Sequence, residues 1–189
     1  METILSVFLG IGLSASVGFR VFLPLFALSL AAYFNVWELN ESWQWIGSIT
    51  AVITLGIATL VEIVAYYIPV VDNLLDSIAI PLATIAGTAI MVSTVADLSP
   101  VITWALAIIA GGGTAAAVKS SASATRVGST VSTAGFGNPI VSTIETGTSV
   151  IMTIVSIFLP ILAIILVLFI FYLIYKLYKK MRPNRPKSS

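Results

Sequence analysis

The chain has 189 residues, 58% hydrophobic and only 9% charged, with a net charge of +1 and a mean hydropathy of +1.07. A soluble domain carries roughly 25% charged residues, so a soluble fold would lack polar surface. With neither cysteine nor histidine, the chain cannot use thiolates, disulfides, imidazole metal sites, His or Cys haem ligation, or histidine acid–base catalysis. Its basic residues gather at the C-terminus rather than on a folded face, which is no signature of nucleic-acid binding.

A bilayer-spanning helix needs about 20 mostly apolar residues. The first apolar stretch, about Ile4–Phe34, is too long for one simple span. It contains Gly10, Gly12, Gly18, Arg20 and Pro24, and proline kinks a helix. Either a broken pair, about 4–17 and 20–34, or one long kinked helix is expected. No Lys or Arg precedes Arg20, so the start lacks a signal-peptide pattern and is expected to stay as a membrane helix. Trp37, Trp43 and Trp45 mark the loop 35–44 as interfacial.

The second span is about Ile46–Ile68 and carries Glu62, Tyr66 and Tyr67 near its end. The third, about Leu74–Val95, is entered through Asp72 and Asp76 and contains Pro81, and Asp97-Leu98-Ser99-Pro100 reads as a turn. A fourth begins near Val101 and passes through Gly111-Gly112-Gly113. Residues 120–138 are small, polar and glycine-punctuated, and read as a loop, either re-entrant or in water. The last span, about Ser149–Tyr175, would be roughly 40 Å long, and tilt or a kink near Pro160 would absorb the excess.

Lys176, Lys179, Lys180, Arg182, Arg185 and Lys187 follow it. This basic tail, 176–189, is expected to be disordered beyond a single transmembrane domain, 1–175. The positive-inside rule places the C-terminus in the cytoplasm, hence a multi-pass protein of the inner (cytoplasmic) membrane. Binding of anionic lipid headgroups is compatible with that topology.

Eight charges remain within or at the ends of apolar segments, and Asp97 leaves this set because it sits in a turn. Charges at membrane depth face a partner or a wet cavity. The candidate substrate- or ion-binding residues are therefore Arg20, Glu62, Asp72, Asp76, Lys119, Arg126 and Glu145. Arg20 and Lys119 could instead snorkel. Asp72 could cap a helix. Asp72 and Asp76 share a helix face, an arrangement suited to proton coupling or cation binding. Glu62, deep in an apolar helix, is the best single buried carboxylate; a structural ion pair with Arg20 or Arg126 is its plainer role. Arg126, with Gly137-Asn138-Pro139 opening the next helix, would suit an anion at a helix N-terminus.

A weak internal echo runs through these positions. Gly12, Ser16 and Arg20 match Gly111, Ala115 and Lys119 as small, small, cation. The run from Pro69 through Asp72 to Leu74 matches that from Pro139 through Ser142 to Ile144, with Asp76 and Glu145 following. The stripes Gly10/Ser14/Gly18 and Gly111/Ala115 also suit close helix packing. No P-loop, Rossmann or metal motif is present.

The chain resembles an uncharacterised bacterial integral-membrane family, domain-of-unknown-function family 4126. The resemblance rests on residues 18–24 (Gly-Phe-Arg-Val-Phe-Leu-Pro), on Glu62 with residues 69–76, and on residues 119–126 with Gly137-Asn138-Pro139. It implies no activity.

The expected fold is all-α: a polytopic transmembrane bundle of five or six segments, with broken or re-entrant helices and an internal pseudo-repeat as an option. The expected function is a transporter or permease moving a small anionic or lipid-linked solute, with a proton as coupling ion. A channel and a non-transporting scaffold are the alternatives. No cofactor, metal or catalytic residue is expected. Membrane lipids are the expected partners, and a homo-oligomer is open.

Overall fold

The computed structural model describes residues 2–95 and 98–181, and all regular structure among them is helical. The expected turn at Asp97 and the far tail, residues 182–189, expected to be disordered, lie outside the described residues.

The first apolar stretch is a broken pair, α1 (Glu2–Val17) and α2 (Phe22–Tyr33). The two helices form a hairpin. Along α1, Ser14 donates to the Gly87 carbonyl at 3.0 Å, Ser16 meets Ser149 and Thr153, and Arg20 reaches Ser142. The chain then turns back, and Trp37 beyond α2 donates to the Ile157 carbonyl at 2.9 Å. Both open ends of the hairpin lie on one side of the bundle, here the tryptophan side, and its tip at Arg20 is buried. With 16 and 12 residues, the two helices are shorter than the spans around them.

A 3-10 turn (Glu41–Gly47) bends by 64° into α3 (Ile49–Ala65). Ser48 caps α3 by accepting the Ala51 N–H at 3.2 Å. Next come α4 (Pro69–Thr94), α5 (Pro100–Leu106), a π-helical segment (Ala107–Gly112) and α6 (Gly113–Thr133), then α7 (Asn138–Phe158) and α8 (Pro160–Met181). Prolines open α4, α5, α7 and α8 in the first turn, where the missing N–H costs nothing; Pro81 lies inside α4, which runs on through it. Four helical stretches, Leu74–Thr94, Pro100–Thr133, Asn138–Phe158 and Pro160–Lys179, are long and apolar enough to cross a membrane, and the bent 3-10/α3 pair makes a fifth. The fold is a helical bundle of five spanning segments built around a hairpin that enters from one side.

Two sequence expectations are corrected. Residues 120–133 are neither re-entrant nor a loop; they complete a 34-residue helical run from Pro100. Four of their hydroxyls bond back to the preceding turn (Ser120 to Ala116, Thr125 to Ser121, Ser132 to Gly128, Thr133 to Ser129) and are satisfied within the helix. Only 134–137 turn, with Ala134 at φ 51° and Gly135 at φ 89°.

The last apolar stretch is not one kinked span either. The chain reverses at Leu159, and Ala163 of α8 lies with Ser156 of α7 against Gly12. Farther on, Ile174 and Leu177 lie with Val141 and Ile144 around one cavity. Helix α8 also continues through Lys176 and Lys179 to Met181, past the expected boundary at 175. Its end and the 134–137 turn define the second side, here the lysine side.

Helix contact in lipid depends on close packing rather than on hydrophobic drive. A tight seam is α4 against the π-helical segment, where a Cβ added at Gly111 would lie 2.5 Å from the Gly87 carbonyl oxygen and 2.6 Å from Met91 Cβ. The stripe Gly10/Ser14/Gly18 does packing work as well: Gly18 admits Val118, and Ser14 bonds across to α4.

Candidate functional site

All seven predicted site residues converge near the hairpin tip. Arg20 comes from the α1–α2 break, Glu62 from α3, Asp72 and Asp76 from α4, Lys119 and Arg126 from α6, and Glu145 from α7. The cations are buried: Arg20 is 0% exposed, Lys119 1% and Arg126 1%. Neither Arg20 nor Lys119 snorkels.

Arg126 is the centre of the ion pairing. Its Nε donates to both Glu145 oxygens, at 3.0 and 3.1 Å, and its Nη2 also pairs with Glu145. Its Nη1 pairs with Asp72. Asp72 Oδ2 accepts from Asn138 Nδ2 at 3.2 Å. Asp72 is therefore a buried ion-pair partner rather than a cap, and Ile68 holds the N-cap position of α4. Forked guanidinium pairing of this kind is beyond a lysine.

Arg20 is held by α7. It donates to Glu145 Oε2 at 3.2 Å, to Thr146 Oγ1 at 2.9 Å, and to the Ser142 carbonyl and hydroxyl at 2.8 and 2.6 Å. Its place at the break follows from α1 ending there: the Arg20 N–H closes on the Ser16 carbonyl, and its side chain leaves sideways toward α7.

Glu62 does not pair with Arg20 or Arg126 by hydrogen bond. Its two oxygens accept the backbone N–H groups of Val21 at 2.7 Å and Phe22 at 2.9 Å. No side chain of α2 itself caps that helix, so a carboxylate from α3 satisfies its first amides and sits at the positive end of its dipole.

Tyr66, one turn after Glu62, is the residue that sequence reasoning passed over. Its ring is 4% exposed. The guanidinium carbons of Arg20 and Arg126 each lie 4.3 Å from the ring centroid, and Lys119 Nζ lies 5.1 Å away. Lys119 also donates to the Tyr66 hydroxyl at 3.1 Å. An aromatic ring offers each cation an attractive partner. The spacing of Glu62 and Tyr66 on one helix face was the only signal for it. Asn138, Ser142 and Thr146 were also missed as site residues, since such residues are common in α6 and α7.

Asp76 is the loosest member. Its side chain is 20% exposed, with Oδ1 3.8 Å from Lys119 Nζ and Oδ2 4.0 Å from Arg126 Nε. Oδ1 is buried without a hydrogen-bond partner. The cluster thus sets three cations (Arg20, Lys119, Arg126) against four carboxylates (Glu62, Asp72, Asp76, Glu145). No group of three or more His, Cys, Asp or Glu side chains suited to a metal ion occurs among the described residues.

Compared with known proteins, the chain matches one family model, described as Domain of unknown function (DUF4126), over residues 7–180. No curated protein and no solved structure matches it.

Proposed function

The chain belongs to the DUF4126 family, whose description assigns no activity, and we propose from the geometry of the site that this multi-pass membrane protein is a proton-coupled transporter of a solute with an anionic group. One observation carries this reading: a buried cluster of seven ionisable side chains from five chain segments meets at the tip of an entering hairpin and leaves one carboxylate, Asp76, incompletely paired. Charges at such depth are costly and mark solute or proton pathways.

The charge balance suggests the cycle. Fully ionised, three cations against four carboxylates leave one excess negative charge. A proton on Asp76 neutralises the cluster and frees Lys119 Nζ from its 3.8 Å partner. Lys119, held by the Tyr66 hydroxyl, then meets the anionic group of the solute. Loss of the proton restores the Asp76–Lys119 attraction and expels that group. Glu62 latches the hairpin by its α2 amides, so movement of the tip exposes the cluster to one side or the other.

Lys176 and Lys179, on the lysine side, put that side in the cytoplasm by the positive-inside rule. The hairpin then enters from the opposite face. Helices α1 and α6 run in one direction and α4 and α7 in the other, as a parallel duplication would place the Arg20/Lys119 and Asp72/Ser142 echoes.

A scaffold is the second reading, favoured by the full pairing of Arg20 and Arg126. Reconstitution separates the two. In proteoliposomes with an imposed pH gradient, a short-chain fluorescent phosphatidylglycerol or inorganic phosphate should cross in a gradient-dependent way, and Asp76→Asn should stop it while the protein stays monodisperse. Absence of gradient-dependent movement of either solute through the wild-type protein would leave the scaffold reading.

A further inference from the structure

We infer that the solute is an amphiphile whose hydrocarbon chain lies in a groove between α3 and α4. Only the anionic nature of its head rests on the transporter reading; the chain site stands on the groove itself.

Helix α3 packs on α2 and the 3-10 turn and stands off from α4. Two cavities of about 480 and 390 Å³ fill the gap and share Val21, Phe22, Thr54 and Leu82 as walls, so they form one groove. At one end it meets Trp43 and Trp45 on the tryptophan side, and at the other it stops on Glu62 and Tyr66, the edge of the charged cluster. Its α4 wall runs from Leu75 to Ala89, about 21 Å at 1.5 Å per residue, which is most of a hydrocarbon core of about 30 Å.

The chemistry of the walls selects the occupant. A hydrated solute needs polar partners along its route, or it bears the full cost of desolvation. Around Glu62 and Tyr66 the walls are Ile57, Val61, Leu75, Ala79 and Leu82 with a single hydroxyl, Thr54. The cavity that reaches Glu145 from the opposite flank, between α6, α7 and α8, is again mostly aliphatic. The polar cavity, around Asn35, Glu38 and Glu41, lies in the tryptophan-side loop and includes no cluster residue. These flanking approaches to the cluster run through apolar walls. The rim residues Ile57, Val61 and Ile85 are exposed at the depth where a bilayer presents its acyl chains, so the groove is continuous with the lipid phase. A lipid chain fits it without loss of hydration, and Tyr66 at its end leads the head to Lys119.

Photo-crosslinking of the full chain in proteoliposomes tests this, with a phosphatidylglycerol bearing a diazirine on one acyl chain. Crosslinks should concentrate on the α3 and α4 walls over the exposed α8 residues Ile161 and Leu168. Thr54→Trp, a change at an exposed position lining both cavities, should abolish the groove crosslinks and leave those on α8 unchanged. Crosslinks spread over all lipid-facing helices and untouched by Thr54→Trp would overturn the inference. A matched phosphatidylcholine probe separates the two claims: equal groove labelling by both lipids keeps the chain site and overturns the anionic head of the transporter reading.

Discussion

The Glu62 carboxylate on α3 accepts the backbone N–H of Val21 at 2.7 Å, where the chain turns into α2. A side chain from one spanning segment thereby caps a helix from the entering hairpin. The hairpin tip also carries Arg20, whose guanidinium is fastened to α7. The tip is therefore tied on two flanks, by an acid to its backbone and by its own cation to a neighbour.

Glu62→Gln should loosen the first tie. The amide accepts through one oxygen and loses its charge at the α2 N-terminus, so stability should fall by about 2 kcal/mol. Thermal unfolding in detergent measures this. A melting temperature equal to that of the wild type would show that the cap contributes nothing.

Arg126→Ala should be the most damaging single change in the cluster. It leaves Asp72 and Glu145 buried without their main counter-charge, at a cost of about 3–5 kcal/mol. Arg126→Lys should recover only part, because an ammonium cannot fork to both carboxylates. In the double variant with Asp72→Asn the losses should be smaller than their sum by about 1–3 kcal/mol. A cycle of unfolding measurements that gives strict additivity would contradict the pairing.

Asp76→Asn should behave oppositely to Asp72→Asn. Oδ1 of Asp76 has no hydrogen-bond partner, so the neutral amide should cost less than about 1 kcal/mol, yet remove all pH-gradient dependence of flux. Asp72→Asn should lower stability strongly, since it weakens a buried pair with Arg126. Measuring both melting and flux in the two variants checks the division of labour between neighbouring carboxylates.

Tyr66→Phe should keep the ring against the two guanidinium groups and lose only the Lys119 bond, at about 1 kcal/mol. Tyr66→Ala removes the ring that Arg20 and Arg126 both approach and leaves a cavity, at about 3–5 kcal/mol. Comparable destabilisation by the two would argue against a cation–aromatic role.

Gly111→Ala should destabilise by about 1–3 kcal/mol, since its new methyl would meet the Gly87 carbonyl and Met91. Gly128→Ala, with nothing within 4 Å, should be neutral or stabilising by up to about 1 kcal/mol. Unfolding of the two variants side by side distinguishes a packing glycine from an exposed one.

Much of the fold was legible in the chain. Scarcity of charge identified a membrane bundle, and prolines marked helix starts at 69 and 139. Gly18 and Pro24 around Arg20 allowed either a broken pair or one kinked helix, and the fold takes the broken pair. The failures have local causes. Phe158-Leu159-Pro160 is equally compatible with a kink and a reversal, and its surroundings decide: the chain folds back where Gly12 leaves room for Ser156 and Ala163 together. Residues 120–133 looked too polar for a membrane helix because their hydroxyls were counted as needing outside partners, whereas four of them bond to their own backbone.

By itself the sequence singled out the seven charged side chains that the fold brings together. Seven charges stand where lipid would penalise them, and their i+4 spacing sets Asp72 beside Asp76 and Tyr66 beside Glu62. Only the tertiary structure decided their partners. Glu62 meets amides of α2 rather than an arginine, Asp72 takes Arg126 rather than a cap, and Tyr66 enters the centre of the site. The physical reason is that a buried charge is satisfied by whatever opposite charge or helix end the packing of distant segments brings within about 3 Å, and residue spacing along one helix cannot specify that.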